Sequence, residues 1–290
     1  MASELYIYTY MGSKLRMVNE IEYLSPLDAR HLYEVCGGLG AFIINNHSLY
    51  KRAVYNELNQ DVYNLMHVIK HHRIEYVTKL LSVASDENKF REYRSIHEEG
   101  YTEIEDKVER AVMYSYLQMN SYNGNRISYI KKNRSLSWAV NLKRRLKRVA
   151  SELQSIDLWN RDCFEILEER KADKEAFVYM DVPYPIGKDT ERITKGIYEE
   201  FDWADETHER AVDLLRGMDG RDGCKVMVCT YQSDIYDKLL DNAYWRRIQI
   251  KDVPSPAGLK GRKRKRKIEC VYLNYSSFSP LAKYHFDIDE

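Results

Sequence analysis

The sequence predicts an α/β fold with a long helical insertion. Strand-like segments lie at 31–35, 52–59, 156–162, 176–181, 224–230, 245–250 and 269–275, and a helical pattern at 205–216 separates two of them. Strands that alternate with helices are typical of an α/β sheet. Between about 61 and 120 the apolar spacing is helical instead, with few glycines. We therefore expect one domain formed by 1–64 and 156–290, and a mainly helical insertion at 65–155.

The composition fits a protein with an ordinary hydrophobic core. No apolar run approaches the length of a membrane span, and the N-terminus does not resemble a targeting segment. The five cysteines form no CxxC pair, and their odd number without a signal peptide favours reduced thiols in a cytoplasm. The histidines show no metal-ligand spacing, so we expect no metal site. We predict a cytoplasmic protein that does not enter a membrane.

Charge is concentrated in two basic segments, although 45 Lys and Arg balance 45 Asp and Glu. The range 126–148 contains nine Lys or Arg and no acid, and "KGRKRKRK" at 260–267 has seven basic residues in eight. A neutral total with local basic runs predicts a local site for a polyanion. A solvated helical face is the alternative for any single residue of the first run, and a nuclear-localisation signal is the alternative interpretation of the second, which we expect to be a loop.

A glycine-rich turn follows the first strand. "EVCGGLGAF" places Gly37, Gly38 and Gly40 directly after the strand, where glycine lets backbone N–H groups approach a ligand. Glu57 ends the next strand, 19 residues after Gly38, at the spacing of an acid that commonly bonds a ribose hydroxyl. This half of the sheet is thus a candidate site for an adenosine-containing cofactor. A tight turn without a ligand is the alternative.

The stretch "YMDVPYPIG" at 179–187 ends an apolar strand with an acid, an aromatic ring and two prolines. Prolines stiffen the loop after Asp181, which lies at the edge where α/β sheets bind ligands. The Asp181 carboxylate and a peptide carbonyl are acceptors that suit an amino group, and the Tyr184 ring suits a flat base. An ordinary turn with a solvated acid is the alternative.

The order of these motifs resembles that of the DNA adenine methylase family. The segment Asp181-Val182-Pro183-Tyr184 resembles the Asp-Pro-Pro-Tyr signature of amino-group DNA methyltransferases. Further elements that resemble the family's pattern are Tyr10 to Lys14, Glu34 to Ala41, Glu57 with Asn59 and Asp61, Asp162-Cys163-Phe164, Phe201 with His208, and "RKIECVYLNY". Together they cover nearly the whole chain in the family's order.

This resemblance implies a fold, a reaction and a set of site residues. It implies a Rossmann-like sheet that binds S-adenosylmethionine and transfers its methyl group to the exocyclic amine of a flipped-out adenine in duplex DNA, without a metal. The implied cofactor contacts are Tyr10, Lys14, Glu34, Gly38, Gly40, Glu57, Asp162, Phe164 and Asp181. The implied residues that hold the target base are Asp181, Pro183 and Tyr184.

The insertion lies where the family carries its target-recognition domain, so we expect it to bind DNA. Its helix at 102–119 is predicted to begin with a capping box of Thr102 and Glu105. The predicted DNA contacts are Asn123, Arg126, Lys131, Lys132 and Arg134 in the insertion, and Lys263, Arg264 and Lys265 in the second basic run. Duplex DNA is the expected partner of a monomeric enzyme in a prokaryotic or phage-infected cell, with a cognate restriction enzyme as an optional second partner.

Three positions depart from the family's pattern. Val182 replaces the first proline, Glu57 replaces the more usual Asp, and Val35-Cys36 replaces a common Pro-Phe. Two alternatives therefore stay open. One is a methyltransferase that acts on another planar amine, in cytosine, RNA or a protein glutamine. The other is a DNA-binding relative with weakened catalysis.

Overall fold

The computed structural model describes residues 4–8, 12–101, 104–185, 203–254, 266–286 and 288, with the backbone alone at Asn123, 252–254 and Arg266. Tyr10, Phe201, Lys263, Arg264 and Lys265 lie outside this description, and so do Thr102 and Glu103. Within it the chain is a mixed α/β protein, as the alternation of strands and helices predicts.

Seven strands belong to one sheet in the order β3-β2-β1-β4-β5-β7-β6. Their bounds are β1 His31–Glu34, β2 Arg52–Asn56, β3 Ile156–Trp159, β4 Ala176–Asp181, β5 Lys225–Tyr231, β6 Arg246–Pro254 and β7 Arg266–Leu273. The pairs β1–β4, β2–β3 and β4–β5 are parallel, whereas β7 runs antiparallel to both β5 and β6. Strands β1 to β5 thus follow the order of a doubly wound sheet, in which β4 begins the second half.

The described helices are α1 Val18–Leu24, α2 Ala41–Asn46, α3 Gln60–Ser82, α4 Glu87–Glu98, α5 Lys107–Met119, α6 Leu136–Leu153, α7 Cys163–Arg170, α8 Asp205–Arg216 and α9 Asp234–Asp237. Short 3₁₀ turns lie at Lys14–Met17, His47–Leu49, Tyr122–Gly124, Lys238–Asp241 and Pro280–Tyr284. Helices α3 to α6 lie in sequence between β2 and β3, so the insertion is helical, as predicted. In the ranges described here, no helix combines the length and the apolar composition needed to cross a bilayer.

The start of α5 corrects one prediction. The helix begins at Lys107, not near Thr102, and its N-cap is Asp106, whose carboxylate accepts hydrogen bonds from the backbone N–H groups of Val108 at 2.8 Å and Glu109 at 3.3 Å. Asp at this position satisfies helix N–H groups as well as Thr does. The predicted capping box was therefore wrong, because the helix is capped instead by Asp106, four residues further along the chain.

The chain forms two compact units. The first comprises 1–16, 37–48 and 53–160, and the second comprises 17–36, 49–52 and 161–290. In the first unit, one cluster of buried side chains joins α4, α5 and the turn between them: Phe90, Tyr93, Tyr101, Met113, Tyr116 and Leu117. Tyr76 on α3 shares a buried chain of hydroxyl hydrogen bonds with Tyr8 and with Ser115 on α5. Tyr8, Tyr76 and Tyr116 are thus core residues with a hydrogen-bonded hydroxyl, whereas the buried Tyr101 hydroxyl has no partner among the described residues.

In the second unit, His208 on α8 belongs to a series of ring contacts that also includes Phe164, Trp203 and Tyr236. The ring of Trp203 stacks at 5.4 Å on Phe164 and lies 5.3 Å from the ring of His208, which is fully buried. His208 Nδ1 lies 3.0 Å from the Tyr236 hydroxyl, and among the described residues its Nε2 has no hydrogen-bond partner. Burial lowers the pKa of His208 to about 4, against the smaller opposing effects of Asp205 and the Trp203 backbone. The imidazole is therefore neutral in the folded protein at neutral pH.

This buried histidine predicts a loss of stability in mild acid. Between pH 6.5 and about 4 the unfolded chain binds a proton at His208 that the folded chain does not, so the free energy of unfolding falls as the pH falls. The expected contribution between pH 7.5 and pH 4.5 is about 2–3 kcal/mol. Urea unfolding of the wild type and His208→Gln at both pH values measures it. His208→Gln should lose less stability on acidification than the wild type, while a His72→Gln control at an exposed position should behave as the wild type does. Equal acid sensitivity of all three proteins would contradict the assignment.

Candidate active site

The carboxyl ends of β1 and β4 lie side by side in the second unit. Glu34 ends β1 and pairs in register with Tyr179, and Asp181 ends β4 two residues further along. Chain order reverses between these strands, which is where doubly wound sheets bind ligands. Glu34 is 2% exposed, and burying a carboxylate is costly unless polar or cationic groups surround it. Two carboxylates thus lie at neighbouring strand ends of this unit.

The loop after β4 is held by a buried valine. Val182 is buried, whereas Asp181, Pro183, Tyr184 and Pro185 are partly exposed. A residue before proline is restricted to extended conformations, so Pro183 still limits the backbone of Val182. The replacement of the first proline therefore keeps an apolar anchor in the loop and leaves the acid and the ring accessible.

Tyr184 contacts residues that sequence reasoning did not identify. Its hydroxyl donates a hydrogen bond to Oε1 of Glu269 on β7, and its ring centroid lies 4.2 Å from that of Tyr231. Tyr231 and Glu269 pair in register across β5 and β7, and the Lys267 ammonium lies 4.7 Å from the Tyr231 ring centroid. Burial, with the nearby charges of Cys229, Asp181 and Glu269, raises the pKa of Tyr184 well above its ordinary value. Tyr184 is thus a neutral hydroxyl donor.

Asp162 and Phe164 lie at the start of α7. The Asp162 carboxylate caps the helix by accepting the Phe164 backbone N–H at 2.9 Å. The Phe164 ring is buried, stacks on Trp203 and has the Arg210 guanidinium 4.0 Å from its centroid. Both residues therefore have clear structural roles, and their predicted place beside the cofactor adenine stays a prediction.

The glycine turn lies in the first unit and meets the acid predicted to act with it. Gly38 and Gly40 have φ values of +50° and +65°, and a Cβ on Gly37 would lie 2.3 Å from a ring carbon of Tyr55. The Glu57 carboxylate accepts hydrogen bonds from the backbone N–H of Gly38 at 2.8 Å and of Asn59 at 2.9 Å. Burial raises the pKa of Glu57 although these donors oppose the shift. The 19-residue spacing thus brings this acid onto the turn.

The N-terminal motif is described in part. Lys14 is buried, and its ammonium donates to the Gly12 carbonyl at 3.0 Å. Gly12 has a φ of +81°, a conformation that glycine adopts readily. Tyr10 lies outside the described residues, so the description of this motif begins at Gly12.

Two of the predicted DNA contacts are engaged within the first unit. The Arg134 guanidinium donates to the Val83 carbonyl at 2.6 Å beyond the end of α3, and burial lowers its pKa. Arg126 has a φ of +58° and lies 5.1 Å from the Tyr114 ring centroid. Lys131 and Lys132 are exposed. The DNA-binding role of all four stays a prediction, and the two arginines already have partners that stabilise the fold.

Known proteins resemble this chain over most of its length. It is 26% identical over 282 residues to type II methyltransferase M.MjaIII of Methanocaldococcus jannaschii, covering 91% of this chain and 92% of that protein. It is 23% identical over 251 residues to a DNA adenine methylase of Haemophilus influenzae, covering 83% and 84%.

Two solved structures are more distantly similar. A modification subunit of a putative type I restriction enzyme from Vibrio vulnificus YJ016 matches at 10% identity with a TM-score of 0.33, over 96% of this chain and 46% of that one. The rRNA methyltransferase aviRa from Streptomyces viridochromogenes matches at 11% identity with a TM-score of 0.32, over 89% and 83%. Neither score carries an argument about this chain.

The family model of D12 class N6 adenine-specific DNA methyltransferases matches residues 10–253, which is most of the chain. That range includes the glycine turn, the helical insertion and the Asp181 loop. The chain belongs to the D12 class of N6 adenine-specific DNA methyltransferases.

Proposed function

We propose that this protein transfers a methyl group from S-adenosylmethionine to the exocyclic N6 amine of an adenine flipped out of duplex DNA. The observation that carries the proposal is the position of Asp181 and Tyr184 at the carboxyl end of β4, beside the end of β1, in a chain of the D12 class. Insertion 65–155 acts as the target-recognition domain in this proposal.

The residues present suit the cofactor's chemistry. The buried Glu34 carboxylate is a fitting partner for the ammonium group of the cofactor's methionine end. The positive-φ glycines at 38 and 40 leave backbone free of side chains, and the two oxygens of the Glu57 carboxylate keep acceptor capacity beyond the backbone donors Gly38, Leu58 and Asn59. We assign Tyr10, Lys14, Asp162 and Phe164 to the same ligand by resemblance. When bound, the cofactor supplies a methyl group already activated by its sulfonium.

The chain's own contribution is to orient a weak nucleophile. The lone pair of an aromatic amine is delocalised into the ring, so the amine attacks poorly in its planar form. Asp181 and a loop carbonyl next to Pro183 accept its two N–H hydrogens and favour the pyramidal geometry. The carboxylate also stabilises the positive charge that develops on the nitrogen. Alignment of the two reactants supplies much of the remaining acceleration.

Tyr184 is the proposed stacking surface for the flipped base. Extruding a base from a duplex costs stacking and pairing energy, which an aromatic pocket partly replaces. The hydrogen bond from the Tyr184 hydroxyl to Glu269 would hold the ring at a fixed tilt. Glu269 is mostly buried, so this acceptor does not depend on solvent.

Asp181→Ala should abolish methyl transfer and leave cofactor binding mostly intact, because Asp181 is only one of the nine implied cofactor contacts. Loss of the charged acceptor should lower kcat by at least about 100-fold, the scale seen when one preorganised group is removed from an active site. Labelled methyl transfer to unmethylated genomic DNA measures the rate, and calorimetry measures cofactor binding. An Asp213→Asn variant, at an exposed position on α8, is the matched control. Wild-type activity in Asp181→Ala would overturn the assigned role.

Single-molecule sequencing of the same DNA identifies the product. Methyladenine at one short sequence supports the proposed reaction and reveals the recognition site. Cofactor binding without any label in DNA would instead favour another planar amine or a weakened DNA-binding relative.

Tyr184→Phe and Glu269→Ala should act as one unit. Each removes one side of the same hydrogen bond, so each should lower kcat about tenfold, and the double variant should be no slower than either single one. Glu269→Gln keeps an acceptor and should retain most of the activity. Tyr244→Phe, at an exposed ring, should behave as the wild type does. Additive losses in the double variant would mean that Glu269 does not act through Tyr184.

A further inference from the structure

We propose that the exposed face of α6 binds the phosphate backbone of duplex DNA, an inference that rests on the proposed function because DNA is the partner that function names. The face is defined here by four cations, Lys143, Arg144, Lys147 and Arg148, and is called the α6 basic face. All four side chains are exposed. All four lie in the basic range 126–148, but none was among the individual DNA contacts predicted from the sequence.

The periodicity of α6 separates this face from the core. Its buried side is apolar and consists of Leu142, Leu146, Val149, Ala150 and Leu153. At about 100° per residue Arg144, Lys147 and Arg148 lie on the opposite side of the helix, and Lys143 lies at the border of that side. The fifth cation, Arg145, lies between the two sides and is engaged with Tyr6, whose hydroxyl accepts its guanidinium at 2.9 Å. Packing of α6 therefore does not require the four exposed cations.

The absence of neutralising partners distinguishes this face from α4. Each of the three cations of α4 has a carboxylate of its own helix within 3 Å: Lys89 with Glu92, Arg91 with Glu87, and Arg94 with Glu98. Within the part of the chain that the structure describes, none of the four cations of the α6 basic face makes an ion pair or a side-chain hydrogen bond. The one acid of α6, Glu152, lies 3.0 Å from His47 instead.

This arrangement is unfavourable for the isolated helix. Lys143 with Lys147, and Arg144 with Arg148, are like-charged pairs at i,i+4 spacing, which destabilise a helix. A polyanion would remove that repulsion and would be attracted to unpaired ammonium and guanidinium groups. The charge pattern therefore favours a partner of dense negative charge, and a phosphate backbone has that density.

The length of the face sets the expected number of contacts. Lys143 and Arg148 are about 7.5 Å apart along the helix axis. Phosphates of one strand follow each other at about 3.4 Å along the duplex axis. The face therefore matches about two phosphates, and its contacts should be independent of base sequence because phosphates carry no sequence information.

The test compares DNA affinity across salt concentrations for a variant and a matched control. The variant carries Lys143→Ala, Arg144→Ala, Lys147→Ala and Arg148→Ala. Affinity for a labelled duplex is measured by fluorescence anisotropy. The slope of log affinity against log salt concentration should be shallower than that of the wild type by about two units. The Kd at about 0.15 M salt should be at least about tenfold higher. Cognate and unrelated duplexes should lose affinity equally.

The double variant Lys147→Ala with Arg148→Ala has an exact counterpart in Lys89→Ala with Arg91→Ala. Both pairs remove one Lys and one Arg from a helix of the same unit, but only the first removes unpaired cations. The α6 pair should lower the salt slope, whereas the α4 pair should leave it unchanged. Alanine favours a helix, and thermal melting confirms that each variant is folded. An unchanged slope in the quadruple variant, or equal losses in the two pairs, would overturn the proposal.

Measurement of methyl transfer at low salt distinguishes a failure of this inference from a failure of the proposed reaction. At saturating DNA the quadruple variant should retain the kcat of the wild type, because the face touches no reacting atom. The wild type could transfer no methyl group to DNA, while the quadruple variant binds DNA with a weaker salt dependence than the wild type. In that case the proposed reaction fails and the inference stands. Tighter binding of duplex RNA than of duplex DNA by the α6 basic face would overturn the choice of partner.

Discussion

The parallel pairing of β1 with β4 is the constraint on which the candidate active site depends. The register that sets Glu34 opposite Tyr179 brings two carboxylate-bearing strand ends to one edge of the second unit. Because side chains alternate along a strand, a shift of one residue would turn every β4 side chain to the other face of the sheet. Strand β4 is apolar and buried on both faces, so such a shift would exchange two close-packed sets of side chains and disturb the packing on each face. Close packing on both faces of the strand thus helps to set the position of the polar residue at its end.

Hydrogen-bonded carboxylates hold the two segments that carry the proposed chemistry. In the first unit Glu57 accepts N–H groups from the glycine turn and from the start of α3, so one side chain fixes both. In the second unit Glu269 accepts the hydroxyl of Tyr184. Each carboxylate accepts hydrogen bonds from donors in a loop or turn. The same residue types that suit ligand binding therefore also determine the shape of the loops.

The sequence predicted the element types well because their signals are local. Helix α8 and strand β4 were predicted with the bounds that the structure has, since their apolar periodicity and flanking turn residues are clear. The spacing of Gly38 and Glu57 drew attention to an acid whose carboxylate accepts the Gly38 N–H, and its contact with a cofactor ribose stays a prediction. The start of α5 was wrong because two capping signals compete within a few residues and local sequence does not rank them. Likewise, the roles of Arg126 and Arg134 in the fold were missed because a basic run does not reveal which of its members face a buried ring or a helix end.

By itself the sequence determined the α/β class, the helical insertion and the ordered motifs of an adenine-specific DNA methyltransferase, because each follows from short-range patterns or from motif order. Only the tertiary structure decided which distant residues meet. The antiparallel register of β5 and β7 brings Glu269 and Tyr231 to Tyr184, although 85 residues separate Tyr184 from Glu269. The tertiary structure also showed that the cations of α4 have carboxylate partners, whereas the exposed cations of α6 have none among the described residues. Both outcomes depend on strand register and on the rotation of helices about their axes, and these are set by the burial of apolar surface from the whole chain rather than by any local segment.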